Sequence, residues 1–212
     1  PVPTTGKRPN PPKLVLLDVG NVLVSLRRVR DVFPFGESEG WSQATDGEID
    51  HGILEFLRSE AVDRFERGLS APDAFFRSMQ TAFRTELPEP ELEARFRRIL
   101  GPEVPGMREL VLDLKRRGIR VAGLSDTNPV HLETIQGYAV IQELEALVAS
   151  CDTGLRKPAE AAFREASRRL SAPPGEIFFT DDLPPNVDGA RRTGMRAVVF
   201  EGADKLRAEL GI

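Results

Sequence analysis

A chain of 212 residues that is 40% hydrophobic and carries a formal charge of −4 is long enough to bury one sizeable core, or a core domain with a smaller insert. It has no basic stripe or acidic tail of the kind that marks a nucleic-acid surface: Arg95, Arg97 and Arg98 follow Glu89, Glu91 and Glu93, as on a solvated helix face. No apolar run approaches the roughly 20 residues needed to cross a bilayer, and the single cysteine, Cys151, has neither a disulfide nor a metal-site partner, so the expectation is a cytoplasmic protein with no membrane, no nucleic acid and no obligate protein partner.

Residues 1–12 are proline-rich and lack the apolar core of a signal peptide, which reads as an extended, mobile leader. Leu14-Val15-Leu16-Leu17 is a short continuous apolar run stopped by Asp18 and Gly20, the pattern of a strand buried on both faces of a parallel sheet. From about Leu26 to Pro105 no segment reads as a strand. Instead the clusters Ile53-Leu54-x-Phe56-Leu57, Phe75-Phe76-x-x-Met79-x-x-x-Phe83 and Leu92-x-x-x-Phe96-x-x-Ile99-Leu100 space their apolar residues three or four apart, which predicts packed helices. Residues 107–117 predict a helix with Leu110, Val111 and Leu114 on one face, closed by Gly118. Strand runs follow at 119–124, 146–149, 177–179 and 197–200, with helices at 158–170 and 186–193. This alternation predicts an α/β fold: a doubly wound, Rossmann-like parallel sheet built from residues 13–25 and 106–212, with residues 26–105 as a helical insert.

Ligands of such sheets bind beyond the carboxyl ends of the strands. Asp18 ends the first strand, Ser125 and Asp126 end the second, Lys157 follows the third, and Asp181 and Asp182 close the fourth. Singly, each has an ordinary reading: Asp18 in a turn with Gly20, Asp181-Asp182 at a helix N-terminus, Lys157 on the surface. As a set they point to chemistry. Three carboxylates aimed at one point repel unless a cation lies between them, and hard oxygen ligands suit Mg²⁺. Lys157 supplies the positive charge that a phosphate and an aspartate nucleophile both need, and the hydroxyl of Ser125 can hold a phosphate oxygen.

The segments Asp18-Val19-Gly20-Asn21-Val22-Leu23-Val24, Leu124-Ser125-Asp126-Thr127-Asn128, Gly154-Leu155-Arg156-Lys157-Pro158 and Phe178-Phe179-Thr180-Asp181-Asp182 resemble, in order and spacing, the four motifs of the haloacid-dehalogenase superfamily. The resemblance runs from Leu14 to the C-terminus and looks closest to the sugar-phosphate phosphatase branch, of which the α-D-glucose-1-phosphate phosphatases are members. Phe65-Glu66-Arg67-Gly68 is similar to the cap segment of that branch. The resemblance implies that residues 26–105 form a mobile helical cap and that Asp18 attacks phosphorus to give an aspartyl-phosphate. It also implies that Asp18, the Gly20 carbonyl, Asp181 and Asp182 hold Mg²⁺, with Asp182 as the main ligand and Asp181 bound directly or through water. Ser125 and the backbone of Asp126 would then hold the phosphoryl group, and Lys157 would stabilise its charge and orient Asp18. The implied activity is Mg²⁺-dependent hydrolysis of a small phosphorylated metabolite, with a sugar phosphate as the leading example.

The sequence departs from the superfamily pattern at two positions. Most of its phosphatases carry a second Asp two residues after the nucleophile as general acid; Gly20 stands there, as it does in the sugar-phosphate branch. Without that donor, which is worth ~10²–10⁴-fold, esters with good leaving groups are favoured: anomeric, acyl or aryl phosphates. His51 is the titratable candidate in the insert to replace it. Asp126 stands where the family often has Asn, and its carboxylate repels phosphate unless it turns away or is protonated. Trp41 and Phe65 read as insert core or cap lining, and Cys151 as buried and inert. Two alternatives remain on these residues. One is a metal-independent 2-haloacid dehalogenase, against which Asp181-Asp182 argues. The other is a catalytically degenerate binding module, for which Gly20 and Asp126 speak.

Overall fold

The structure is a computed structural model and describes residues 12–33, 35, 41 and 43–212. The expected leader lies, apart from Pro12, outside the described residues. In chain order the elements are β1 (Leu14–Leu17), β2 (Val24–Leu26), α1 (Val29–Val32), α2 (Asp46–Leu57), α3 (Glu60–Glu66), α4 (Pro72–Ala82), α5 (Glu89–Arg97), β3 (Leu100–Glu103), α6 (Met107–Arg116) and β4 (Arg120–Ser125). They continue with α7 (Pro129–Ile135), α8 (Ala139–Gln142), β5 (Leu147–Ala149), α9 (Ser150–Thr153), α10 (Glu160–Arg169), β6 (Ile177–Asp181), α11 (Pro184–Arg192), β7 (Arg196–Val199) and α12 (Ala203–Leu210).

Five strands form one sheet in the order β5-β4-β1-β6-β7, every pair parallel. The continuous apolar run of β1 follows from its central place. Successive side chains point to opposite faces: Val15 and Leu17 join a core with Met107, Leu110, Val111 and Leu114 of α6, while Leu14 and Leu16 join one with Phe163 of α10 and Val187 of α11. All four β1 residues are fully buried, and burying each such leucine or valine is worth roughly 1.5–3 kcal/mol. Helix α6 stops where Gly118 takes a left-handed φ of 75°, a conformation that glycine reaches without steric cost. Outward from β1 the chain runs to β4 and β5 on one side and to β6 and β7 on the other. The strand order therefore reverses at β1, and a crevice opens beyond its carboxyl end.

Helices α1–α5 pack around a separate aromatic core containing Phe56, Phe65, Phe75, Phe76, Met79 and Leu92. Helix α2 begins with a capping box: Glu48 N–H donates to Thr45 Oγ1, and Thr45 N–H donates to the Glu48 carboxylate at 2.8 Å. Residues 26–105 are not free of strands, contrary to the reading of their pattern. Leu100–Glu103 pairs antiparallel with Val24–Leu26, matching Leu26 to Leu100 and Val24 to Glu103. The apparent continuation of α5 through Ile99-Leu100 fails because Gly101 and Pro102 follow at once, the two residues least suited to a helix interior. Leu100 turns instead into the core that α6 shares with the sheet. No helix among the described residues is long and apolar enough to cross a membrane.

Candidate active site

Asp18 is the first residue after β1, and its N–H donates to the Thr180 carbonyl of β6 at 3.0 Å. The central sheet thereby fixes its backbone. Lys157 reaches it from the loop after α9: Nζ donates to Asp18 Oδ1 at 2.5 Å, to Asp181 Oδ2 at 2.6 Å and to the Leu124 carbonyl at 3.3 Å. The Lys157 side chain is only 2% exposed. An ammonium so deeply buried persists only when paired and hydrogen-bonded, and these three acceptors meet all three of its donors.

Asp181 is fully buried, and both its oxygens are engaged. Oδ1 accepts from Leu183 N–H and Asn186 Nδ2; Oδ2 accepts from Asn186 Nδ2 and from Lys157. Asp182 is half-buried and accepts from Asn21 Nδ2 at 3.0 Å through Oδ2. Asn21 holds a left-handed φ of 56°, which asparagine tolerates better than most residues, and its Oδ1 accepts from Leu26 N–H. Carboxylate oxygens of Asp18, Asp181 and Asp182 lie within 4.8 Å of one another.

These residues fit a magnesium ion. Three carboxylates face a single ammonium, so a further positive charge is needed, and hard oxygen donors are what Mg²⁺ takes. Asp181 accepts four hydrogen bonds from three donor groups, whereas Asp18 accepts from Lys157 and the Val19 N–H, and Asp182 from Asn21. Burial raises the Asp18 carboxyl above its ordinary range; Lys157 opposes that shift and Asp181 adds to it. Burial also works against the Lys157 ammonium, but Asp18 and Asp181 outweigh it and hold the lysine above its ordinary value.

Ser125 ends β4 and is buried. The Asp126 carboxylate is turned onto protein: Oδ1 accepts from the Lys157 N–H at 3.1 Å, and Oδ2 lies 3.8 Å from Arg156 Nε. Burial raises its pKa, with Lys157 opposing. Arg156 also reaches α3, donating to Asp63 Oδ1 at 2.9 Å and pairing with Glu66 at 2.5 Å. In return Arg67 donates to the Gly154 carbonyl, and Ser150 donates to the Glu66 carbonyl. Burial pushes the Glu66 carboxyl up to about 7, with Arg156 opposing. Helix α3 is therefore docked on the loop that delivers Lys157. A Cβ on Gly68, whose φ is 68°, would run into the Cys151 carbonyl oxygen.

Gly20, Ser125 and Asp126 line one end of a cavity of about 450 Å³ that runs into the aromatic core of α1–α5. Phe65 lines it while stacking on Phe75 with centroids 4.1 Å apart. Trp41 lies elsewhere, donating Nε1–H to the Phe83 carbonyl. His51 is exposed on α2 and is not among the lining residues; the histidine on this wall is His131 of α7. Cys151 is half-buried, its thiol pushed up to about 11 by burial and by Asp152, which keeps it a poor nucleophile near neutrality. Of the residues singled out from sequence, Asp18, Lys157, Asp181 and Asp182 come together, and Gly20, Ser125 and Asp126 lie on the adjoining wall. Asn21, Asn186, Glu66, Arg156 and His131 are additional.

A doubly wound parallel sheet that gathers a carboxylate cluster and a buried lysine at its switch point defines an α/β protein with a ligand site there. A family model described as haloacid dehalogenase-like hydrolase matches residues 12–194, and the chain belongs to that family. It is 25% identical over 203 residues to a drimenol cyclase of Aspergillus calidoustus, covering 93% of this chain and 36% of that protein. It is 32% identical over 101 residues to a glyceraldehyde 3-phosphate phosphatase of Pyrococcus furiosus, covering 47% of this chain and 42% of that one. The chain thus spans well under half of either relative. A family enzyme of Bacteroides thetaiotaomicron, solved with magnesium and inorganic phosphate, superposes with a TM-score of 0.73 at 22% identity, covering 90% of this chain and 94% of its own. At that identity the likeness is one of fold.

Proposed function

We propose that the protein is a Mg²⁺-dependent phosphatase acting on a small phosphorylated metabolite through an aspartyl-phosphate on Asp18. The observation that carries this reading is the buried Lys157 ammonium bridging Asp18 and Asp181, with Asp182 beside them. The family membership and the phosphatase among the relatives support it.

In this reading Asp18 Oδ1, oriented by Lys157, faces the metal, and Oδ2 is the attacking atom. Attack on phosphorus forms the Oδ2–P bond as the ester oxygen departs with its electron pair; water then cleaves the Oδ2–P bond and restores the carboxylate. Ser125 and the backbone N–H of Asp126 hold phosphoryl oxygens. Asp18 and Asp182 would ligate Mg²⁺, with the Gly20 carbonyl as a further donor and Asp181 acting through water, since its oxygens are taken. When bound, the ion neutralises charge on the phosphoryl oxygens, where much of the rate acceleration in phosphoryl transfer arises. Helices α1–α5 serve as a cap over the site, with residues 26–105 as the capping unit and 13–25 plus 106–212 as the core.

The test is phosphate release from a panel of anomeric, acyl and aryl phosphates, with Mg²⁺ and with chelator, beside Asp18→Asn. Release that needs Mg²⁺ and is lost in the variant supports the reading. Chelator-resistant halide release from a 2-haloacid, with no phosphatase activity, would replace it with the dehalogenase reading.

A further inference from the structure

The cavity beside the site has a lopsided chemistry. Ser125, Asp126, Thr127 and Asn128 follow β4 at the sheet end, Glu66, Arg27, Arg28 and His131 add polar groups elsewhere, and the remaining walls include Val29, Ile53, Phe56, Phe75, Met79 and Phe96. Protein interiors hold few voids larger than a water molecule, so about 450 Å³ is no packing defect; it falls within the size range of small-molecule pockets. Leu26 and Leu57 also line it and are 45% and 46% exposed, placing apolar surface where the space meets solvent.

The polar lining residues offer a sugar little. Asn128 and His131 bond each other, and His131 also bonds the Phe96 carbonyl. Glu66 is paired with Arg156, Asp126 with the Lys157 N–H, Arg27 with the Arg98 and Leu100 carbonyls, and the exposed Arg28 with Asp31. A hexose placed here would bury several hydroxyls with no partner, a large penalty for each.

We propose that this cavity receives an apolar body, aryl or alkylaryl, on the phosphoester, so that the preferred substrate is a phosphate of a hydrophobic alcohol or phenol and not a sugar phosphate. The proposal rests on the phosphatase reading and names the substrate class of that same site. The phosphate sits against Ser125 and the Asp18 cluster, and the leaving group extends past Gly20 into the aromatic walls. The absence of a side chain at Gly20 opens that path. An aryl leaving group also departs without the general acid that Gly20 cannot supply.

A series of phenyl, 4-ethylphenyl and 4-butylphenyl phosphates tests this, because the phenol leaving group keeps nearly the same basicity while the apolar body grows. Steady-state phosphate release and calorimetric binding to Asp18→Asn are measured in parallel, with glucose 1-phosphate for comparison. The expectation is a rise in kcat/KM of about fourfold per added methylene, from roughly 0.8 kcal/mol per buried CH₂, with glucose 1-phosphate well behind phenyl phosphate. Leu57→Asn, at the solvent end, should reduce the ratio of 4-butylphenyl to phenyl phosphate. A flat or falling series with glucose 1-phosphate preferred overturns the proposal while leaving the phosphatase reading intact. Binding that strengthens with chain length, without turnover of any ester, supports the apolar pocket and overturns the phosphatase reading. No turnover and no chain-length dependence in binding overturns both.

Discussion

Lys157 Nζ stands 2.5 Å from Asp18 Oδ1, with both side chains almost wholly out of solvent. The same ammonium lies 2.6 Å from Asp181, so it compensates two buried carboxylates at once. Removing one partner of such a pair leaves uncompensated charge and typically costs about 3–5 kcal/mol. Lys157→Ala should therefore be destabilised by about that much in urea denaturation and should lose phosphatase activity. Lys157→Arg should not restore activity, because a planar guanidinium cannot replace a compact ammonium within this enclosure. An alanine variant of full stability would show that the pair contributes little.

Gly20 has room for a side chain on one condition. A Cβ there would stand 3.1 Å from Leu26 Cδ1, the far end of a half-exposed leucine that can shift. Gly20→Asp is expected to fold and to place a proton donor near the leaving oxygen. Rates on simple alkyl phosphates should rise toward the ~10²–10⁴-fold range of general acid catalysis, while aryl and acyl phosphates gain far less. An equal change on both classes would refute a role for this position in protonating the leaving group.

Asn21 is predicted to matter through Asp182. Its Nδ2 donates to Asp182 Oδ2, and its Oδ1 accepts from Leu26 N–H. Groups that orient a metal ligand in this way typically contribute 10–100-fold to metal affinity. Asn21→Gly retains the left-handed backbone but loses both bonds, so the Mg²⁺ concentration for half-maximal activity should rise by roughly tenfold or more. An unchanged Mg²⁺ requirement would remove Asp182 orientation from the account.

His131 should make stability fall with acid. It stacks on Phe96 with centroids 4.0 Å apart, and its Nε2 meets the Phe96 carbonyl at 2.8 Å. Its Nδ1 faces Asn128 Nδ2 at 3.3 Å. The neutral ring satisfies both by donating from Nε2 and accepting at Nδ1. Burial lowers its pKa from 6.5 to about 4. Because the folded value lies below the unfolded one, the unfolded chain takes up the proton first as pH drops. Stability is unaffected above about 6.5 and declines toward pH 4, by at most about 3 kcal/mol. Urea midpoints for the protein and for His131→Leu over that window check this. The variant should show the smaller decline, and parallel curves would exclude His131 as the source.

The five sheet strands were legible as short apolar runs, continuous and buried on both faces in β1 and partly exposed in the edge strand β7. The β2–β3 ribbon was not. Its strands are short, one contains Gly101 and Pro102, and Leu100 continues the helical spacing set by Phe96. Within the site, Asp18, Lys157, Asp181 and Asp182 announced themselves by standing at strand ends, where this fold places ligands. Asn21 and Asn186 did not, because an asparagine near Gly or Pro reads as turn or cap chemistry until its partner is known. The Glu66–Arg156 pair joins residues ninety positions apart, and no local pattern encodes such a pairing. Asp126 looked disruptive in sequence, yet its carboxylate is taken up by the Lys157 N–H and Arg156.

Acid-quenching the protein during turnover of phenyl phosphate with Mg²⁺, followed by peptide mass spectrometry, reveals whether Asp18 carries the phosphoryl group. A phosphoryl increment is expected on the peptide containing Asp18, removed by hydroxylamine and absent from Asp18→Asn. A phosphoryl group on another side chain, or undiminished turnover by Asp18→Asn, would contradict that expectation.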